Sequence, residues 1–447
     1  KDDSSLFRYR PDYHTSQLKT ELDWSEWSGK DGGFQGAVEM CNNNGACRKL
    51  KGGVMCPSFR VTRKEKDLTR GRANTLRLAI SGQLGPDALV SDAMADAMKL
   101  CVSCKGCKRE CPTGVDMARM KIEVLSARAK KHGLSIHDRL VGYMPRYAPW
   151  ASKMPFLMNL RDKVPGLAKA TERLTGFTAR RPLPNWDAKP FKDTEVSATS
   201  TPDVVLFADS FNRYFEPDNL RAAVRVLNAT GSSVDVVKPA GNGRPLCCGR
   251  TFLSVGLVDQ ARQEAKRLVD ALMPYAERDV PIIGLEPSCL LTLRDEIPVL
   301  LPGEDSARIA KLALMFEEFI ADQRDNPQFT SNLHSPAPEV TLHGHCHQKA
   351  MGSMPSIERT LALLPNTNVT RIESSCCGMA GAFGYGADTY DTSIKMAELD
   401  VLPAARAAPG DAIIVADGTS CRHQIADNTD RNPMHIARLL DLALKRV

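Results

Sequence analysis

The spacing of apolar and polar positions divides the 447-residue chain into two regimes. Between residues 36 and 135 apolar positions recur at helical spacing. Thr69–Arg77, continuing through Leu78 and Ile80, predicts a short helix ended by Gly82. Ser91 is placed to cap a helix running through Leu100, and Val115–Lys131 predicts another that stops near Gly133. From residue 201 short unbroken apolar runs alternate with helical stretches. The runs are Asp203–Ala208, Ser233–Val237, Pro281–Leu285, Glu339–Leu342, Asn368–Ile372 and Asp411–Ala416. That pattern predicts parallel strands buried between helices. The expected fold class is therefore α+β and multidomain: an all-helical domain over 36–135, then two α/β repeats with parallel sheets over 201–330 and 331–447.

Two stretches carry neither pattern. Residues 1–35 are polar, with Trp24, Trp27 and a Gly32–Gly33 pair, and read as an arm or linker. Residues 136–200 are rich in Pro, Met and aromatics, among them Tyr143, Tyr147, Trp150, Met154, Phe156 and Met158. They read as a connector packed over a neighbouring domain, or as a patch facing a membrane or a partner.

The two α/β stretches repeat one motif. The first has Ser210, then Cys247-Cys248-Gly249, then Cys289; the second has Cys346, then Cys376-Cys377-Gly378, then Cys421. Each cysteine follows a predicted strand, where such sheets gather their ligands. Adjacent cysteines on a regular strand point to opposite faces, so each pair needs an irregular turn, which Gly249 and Gly378 permit. The second repeat has a full set of thiols in Cys346, Cys376, Cys377 and Cys421, and is expected to hold an iron–sulfur cluster or zinc. The first has Cys247, Cys248 and Cys289, with Ser210 at the fourth position, and is the weaker candidate. His343, His345 and His347 crowd the second site as ligands, as hydrogen-bond donors to ligands, as proton carriers or as plain buried histidines.

The helical part carries the densest chemistry. Cys101, Cys104, Cys107 and Cys111-Pro112 read C-x2-C-x2-C-x3-C-P, the run of two-cluster ferredoxins. Upstream, Cys41, Asn44, Cys47 and Cys56-Pro57 read C-x2-N-x2-C-x8-C-P, the same motif with Asn44 in the middle. The last cysteine of such a run ligates the other cluster. Cys101, Cys104, Cys107 and Cys56 are then expected to hold one [4Fe–4S] cluster. Cys41, Cys47 and Cys111 supply three thiolates to the second. Its fourth iron falls to Asn44, to another group or water, or is missing in a [3Fe–4S] form; otherwise Asn44 is a turn residue. Nearby basic residues, including Arg60, Lys105 and Lys108, either offset cluster charge or form a solvated surface.

Bulk properties narrow the setting. A net charge of +6 is small for this length and argues against a nucleic-acid partner. No apolar run approaches the ~18 residues of a membrane span, and no signal peptide is seen. The 14 cysteines cluster in ligand-like motifs, which suits a reducing compartment. The expected location is the cytoplasm, free or peripheral on the inner face of the membrane. The chain starts with Lys1, so it is expected to begin inside a longer polypeptide.

Cys41–Cys47, Met55–Phe59, Thr69–Asn74, the Cys101–Pro112 run and the Cys-Cys-Gly repeats together resemble one family. It is the C-terminal iron–sulfur half of bacterial FAD-linked oxidases of the D-lactate and D-2-hydroxyglutarate dehydrogenase type. The chain is also similar to the iron–sulfur subunits of glycolate oxidase and anaerobic glycerol-3-phosphate dehydrogenase, and more distantly to the cysteine-rich subunit of heterodisulfide reductase. Asn44 and Ser210 depart from the family pattern. The resemblance implies an electron-transfer portion without a catalytic residue of its own. FAD would sit on a domain preceding Lys1 or on a partner subunit, and electrons would pass to a quinone, cytochrome or other acceptor. The rival readings are a thiol or disulfide reductase, as in heterodisulfide reductase, and a zinc-stabilised docking scaffold for a flavoprotein.

Overall fold

The computed structural model describes residues 13, 15, 18–27, 32–241 and 243–445. The helical region contains the three expected helices. Thr69–Ile80 runs to Gly82, and Asp92–Lys99 starts where Ser91 Oγ accepts the Met94 amide at 3.2 Å. The third spans Met117–His132. It begins later than the apolar pattern suggests because Asp116 caps it, accepting from the Arg119 amide at 3.1 Å. It stops at Gly133, whose φ of +75° costs a residue without Cβ nothing.

Seven short strands follow: β1 Val204–Phe207, β2 Val234–Val236, β3 Ile282–Gly284, β4 Ala313–Met315, β5 Glu339–Leu342, β6 Asn368–Arg371 and β7 Ile413–Val415. They form two wholly parallel sheets, ordered β2-β1-β3-β4 and β6-β5-β7. In both, the first strand of the repeat lies between its second and third, so the two copies share a topology. Among the described residues, no helix is long and apolar enough to cross a membrane.

Strand β1 shows why the parts cohere. Successive side chains on a strand point to opposite faces. Val205 and Phe207 join a core that includes Leu68, Leu76 and Met120 of the helical region. Val204 and Leu206 join a second core with Val340, Leu342 and Leu440 of the second repeat. The first repeat is thus sandwiched between the helical region and its own copy.

Residues 18–27 lie on the Met117–His132 helix. Trp24 is buried, its Nε1 donates to Glu123 Oε1 at 2.8 Å, and the Arg119 guanidinium stacks 4.2 Å from its ring. The remainder of the expected 1–35 arm lies outside the described residues. The 136–200 segment touches both repeats: Tyr143 packs edge-on to Phe252 with centroids 5.4 Å apart, and Arg181 donates to the Gly384 carbonyl at 3.0 Å.

A buried ion pair ties the repeats together. Glu216 accepts from Arg422 Nε and from Thr419 Oγ1, both at 3.0 Å. Burial alone would raise the Glu216 carboxyl, but Arg422 outweighs it and brings it down to about 2. A depressed folded-state value stabilises the fold fully above the unfolded carboxyl range, and the gain is lost as pH falls toward 2. The shift corresponds to about 3 kcal/mol. Glu216→Gln is therefore expected to lower stability by roughly that amount at pH 7. The gap between wild type and variant, read from urea midpoints, should narrow as pH falls below the ordinary carboxyl range and close only near about pH 2. A gap independent of pH would show that Glu216 is not held as a carboxylate by Arg422.

Candidate metal centres

Four cysteines from both helical-region motifs line one cavity: Cys56, Cys101, Cys104 and Cys107. Cys56 precedes the Pro57–Thr62 helix with φ +51°, and Ser103 and Lys105 also adopt left-handed backbone, which lets the 101–107 loop wind tightly. Thr69 donates its amide to Cys56 Sγ at 3.2 Å. Burial pushes the Cys104 and Cys107 thiols well up. Buried sulfurs set around a common space meet the needs of a thiolate-ligated metal centre, where the cation supplies the charge that burial denies.

Cys41 and Cys47 are buried and Cys111 is partly exposed. Burial first, with Cys56 and Cys41 adding, pushes the Cys47 thiol up to about 11. Cys111 Sγ meets Thr113 Oγ1 at 3.3 Å. Asn44 is exposed, and its amide is engaged locally: Oδ1 accepts from the Ala46 amide at 2.8 Å and Nδ2 donates to Asn42 Oδ1 at 2.5 Å. That is turn chemistry at the start of the Ala46–Arg48 helical turn.

In the first repeat Cys247, Cys248 and Cys289 line a cavity with Ser210, Asp209 and Arg250. Desolvation, with Glu286 adding, raises Asp209 to about 6 even though Asn212 and Phe211 donate to it. In the second repeat Cys346, Cys376, Cys377 and Cys421 are all buried, and Cys377 and Cys421 sulfurs lie 3.5 Å apart. The two turns match. Gly249 and Gly378 both have φ +83°, and each amide points to the Sγ two residues back at 3.4 Å. A Cβ on Gly378 would meet the Ser393 carbonyl oxygen at 2.4 Å.

The three histidines separate by role. His345 caps the Cys346–Met351 helix, its Nδ1 accepting from the His347 amide at 3.2 Å. His347 Nε2 lies 3.1 Å from the Ser103 carbonyl, donating in the tautomer that protonates Nε2. His343 stays at the site: one of its ring nitrogens and the Cys377 and Cys421 sulfurs lie within 4.8 Å of one another. Its Nδ1 meets Ser374 Oγ at 3.1 Å, while Nε2 is buried with no hydrogen-bond partner. Hydrogen bonds from Cys376 and Cys421, with the neighbouring His343 ring adding, outweigh burial and hold Cys377 well below the ordinary thiol value. Lys349 Nζ, bonded to the Ser374 carbonyl at 2.7 Å, adds a half-buried positive group whose own proton burial weakens. Soft sulfurs and an orphaned imidazole nitrogen suit a bound metal centre, and a nearby ammonium offsets the negative charge of its thiolates.

A model of a 4Fe-4S dicluster domain matches residues 37–115, and one of a cysteine-rich domain matches residues 208–294 and 340–426. The chain carries a 4Fe–4S dicluster domain and two cysteine-rich domains. Its relatives include D-2-hydroxyglutarate dehydrogenase of Pseudomonas putida, 26% identical over 453 residues, covering 90% of this chain and 43% of the relative. One component of the anaerobic glycerol-3-phosphate dehydrogenase of Escherichia coli is 26% identical over 338 residues, covering 74% and 81%. The glycolate oxidase iron-sulfur subunit of Escherichia coli is 21% identical over 423 residues, covering 92% and 95%. The chain spans less than half the length of the D-2-hydroxyglutarate dehydrogenases it matches.

The dicluster domain meets both cysteine-rich domains through its 101–107 loop. Toward the second, Cys104 shares a core with Cys346, Cys376, Cys377 and Cys421. Toward the first, Lys105 Nζ bonds Glu296 Oε2 at 2.7 Å, and Glu296 also pairs with Arg250, which lines the first repeat's cavity. Sequence reasoning passed over Arg250 and Glu296. The signal for Arg250 was its place directly after Cys-Cys-Gly; Glu296 gave none. Lys105 and Arg60 are buried, whereas Lys49, Arg63, Lys64 and Lys108 are exposed, so the basic cluster divides into internal partners and solvated surface.

Proposed function

We propose that this chain is the electron-transferring portion of a flavin-linked dehydrogenase of D-2-hydroxy acids, of the D-lactate or D-2-hydroxyglutarate type. The hydroxy acid is oxidised at FAD on another domain or subunit, and electrons leave to a quinone, cytochrome or other acceptor. The observation that carries this reading is the placement of Cys104, a cavity-lining thiol of the dicluster domain, against the thiols of the second cysteine-rich domain. Cys56, Cys101, Cys104 and Cys107 would hold one [4Fe–4S] cluster. Cys41, Cys47 and Cys111 would hold the second, with Asn44 left in its turn. Such clusters, when bound, supply one-electron redox chemistry to a two-electron donor. The chain itself buries most of these thiols, donates a hydrogen bond to Cys56 from the Thr69 amide, and places Arg72 and Lys121 beside the cavity and its loop. Cys346, Cys376, Cys377 and Cys421 would hold a further centre.

A zinc ion at that last site is the second reading, favoured by the orphaned His343 nitrogen beside Cys377 and Cys421. Iron, sulfide and zinc analysis of anaerobically purified protein, with electron paramagnetic resonance, separates the two. About twelve irons per chain supports a third cluster, whereas about eight with one zinc supports the second reading. Hydroxy-acid oxidation by the 447-residue chain without a flavoprotein would overturn the proposal.

A further inference from the structure

The segment after Trp150 exposes apolar surface that its own fold does not explain. Of the thirteen large apolar side chains that are exposed among the described residues, seven fall between residues 150 and 174. Trp150 and Phe156 are each 70% exposed and Leu174 66%. These are not side chains of a loose loop. The Met144–Ala151 helix buries Met144, Pro145, Ala148 and Ala151 along one face, which turns Trp150 outward. Two one-turn helices, Pro155–Met158 and Leu160–Lys163, lead to the helix Leu167–Thr175. Buried Arg161 fixes that turn by donating to the Thr178 carbonyl at 2.7 Å, and Asn159 exchanges hydrogen bonds with the Trp186 backbone at 2.9 and 3.0 Å.

The unpaired charges around this surface have one sign. Lys153, Lys163, Lys169 and Arg173 are exposed, and none has an ion-pair partner among the described residues. The two acidic residues are engaged: Asp162 with Arg161, and Glu172 with the Ala179 amide. Lys169 and Arg173 lie one turn apart on the last helix, beside Leu174. A fixed apolar face holding an outward Trp and rimmed by unpaired cations has the make-up of a membrane-interface anchor. An acidic protein face would satisfy the cations but would not need so large an apolar centre.

We propose that Trp150, Phe156, Leu157 and Leu174, with the rim of Lys163, Lys169 and Arg173, dock on an anionic phospholipid surface. Pro145, about 7.5 Å along the same helix from Trp150, lines the cavity of the first cysteine-rich domain. Docking therefore brings that domain to the lipid boundary. The inference stands apart from the hydroxy-acid reading, since lipid binding can be measured whatever the electron donor is.

The test is co-sedimentation of the full cluster-loaded chain with phosphatidylcholine vesicles, with and without phosphatidylglycerol. Binding is expected only with the anionic lipid, weakening as salt rises. Each Lys or Arg at such a surface contributes about fivefold in affinity, so Lys163→Gln with Lys169→Gln and Arg173→Gln should weaken binding about a hundredfold. Phe156→Ser with Leu157→Ser should weaken it at every salt concentration. Visible absorbance and circular dichroism confirm that both variants keep their centres and fold. A blue shift of tryptophan emission on binding, lost in Trp150→Phe, locates the contact. Equal binding to neutral vesicles, no vesicle binding, full affinity in the charge variant, or capture of a protein partner by this face without lipid affinity would each overturn the proposal.

Discussion

Lys105→Met is expected to cost about 3 kcal/mol of stability, because it takes the cation out of a buried ion pair. Lys105 sits between two cavity-lining cysteines, its side chain 2% exposed. Its Nζ lies 2.6 Å from Asp295 Oδ2 and 2.7 Å from Glu296 Oε2, on carboxylates that are themselves 10% and 6% exposed. Burial would raise Asp295, but Lys105 and then Lys108 outweigh it and hold the carboxyl well below its ordinary range. Removing one partner of a buried pair strands the other, at roughly 3–5 kcal/mol. The low end applies because Lys108 stays on Asp295 and Arg250 stays on Glu296. Urea midpoints of Lys105→Met, Glu296→Gln and the double variant give the coupling directly. The double variant should lose clearly less than the two single losses combined, because the second change removes a charge already stranded. Additive losses would mean the pair is screened by water and does not anchor the loop.

That ion pair also marks where the sequence stops being legible. The cysteine motifs could be read because each packs its chemistry into a short run whose spacing is set by the cluster it suits. The repeats could be read because strand, turn and ligand recur in the same order. Lys105 offered no such sign: its partners lie far along the chain, and a lysine between cysteines looks the same whether buried or solvated. Trp24 is the same case, since its partner Glu123 is on a helix nearly a hundred positions away. Strand β4 escaped notice because Ala313–Met315 follows directly on the Glu304–Leu312 helix and has no turn residues to frame it. The three histidines of the second repeat were equivalent in sequence. Only the fold gives His345 a helix to cap, His347 a carbonyl across the domain boundary, and His343 two sulfurs with an unpaired nitrogen.

Cys56→Ala should abolish the same paramagnetic signal as Cys104→Ala, and leave the signal that Cys47→Ala abolishes. Grouping by motif alone would give the opposite, because Cys56 belongs to the run of Cys41 and Cys47, while Cys104 belongs to the run ending at Cys111. The cavity agrees with the crossed grouping read from the two runs: Cys56 shares its walls with Cys101, Cys104 and Cys107. The Thr69 amide donates to the Cys56 sulfur at 3.2 Å and its Oγ1 lies 3.1 Å from that sulfur, and Thr69 lines the same cavity. Each of these two substitutions is expected to lower iron by about four atoms per chain, the content of one cube. Asn44→Ala supplies the contrast, because its amide is spent within its own turn and its loss should leave iron content unchanged. If instead Cys56→Ala removed the signal that depends on Cys47, the ligands would be grouped by motif and the cavity would not be the cluster's seat. Loss of both signals in Cys56→Ala but only one in Cys104→Ala would show that Cys56, whose thiolate Cys47 also senses, supports the two centres together.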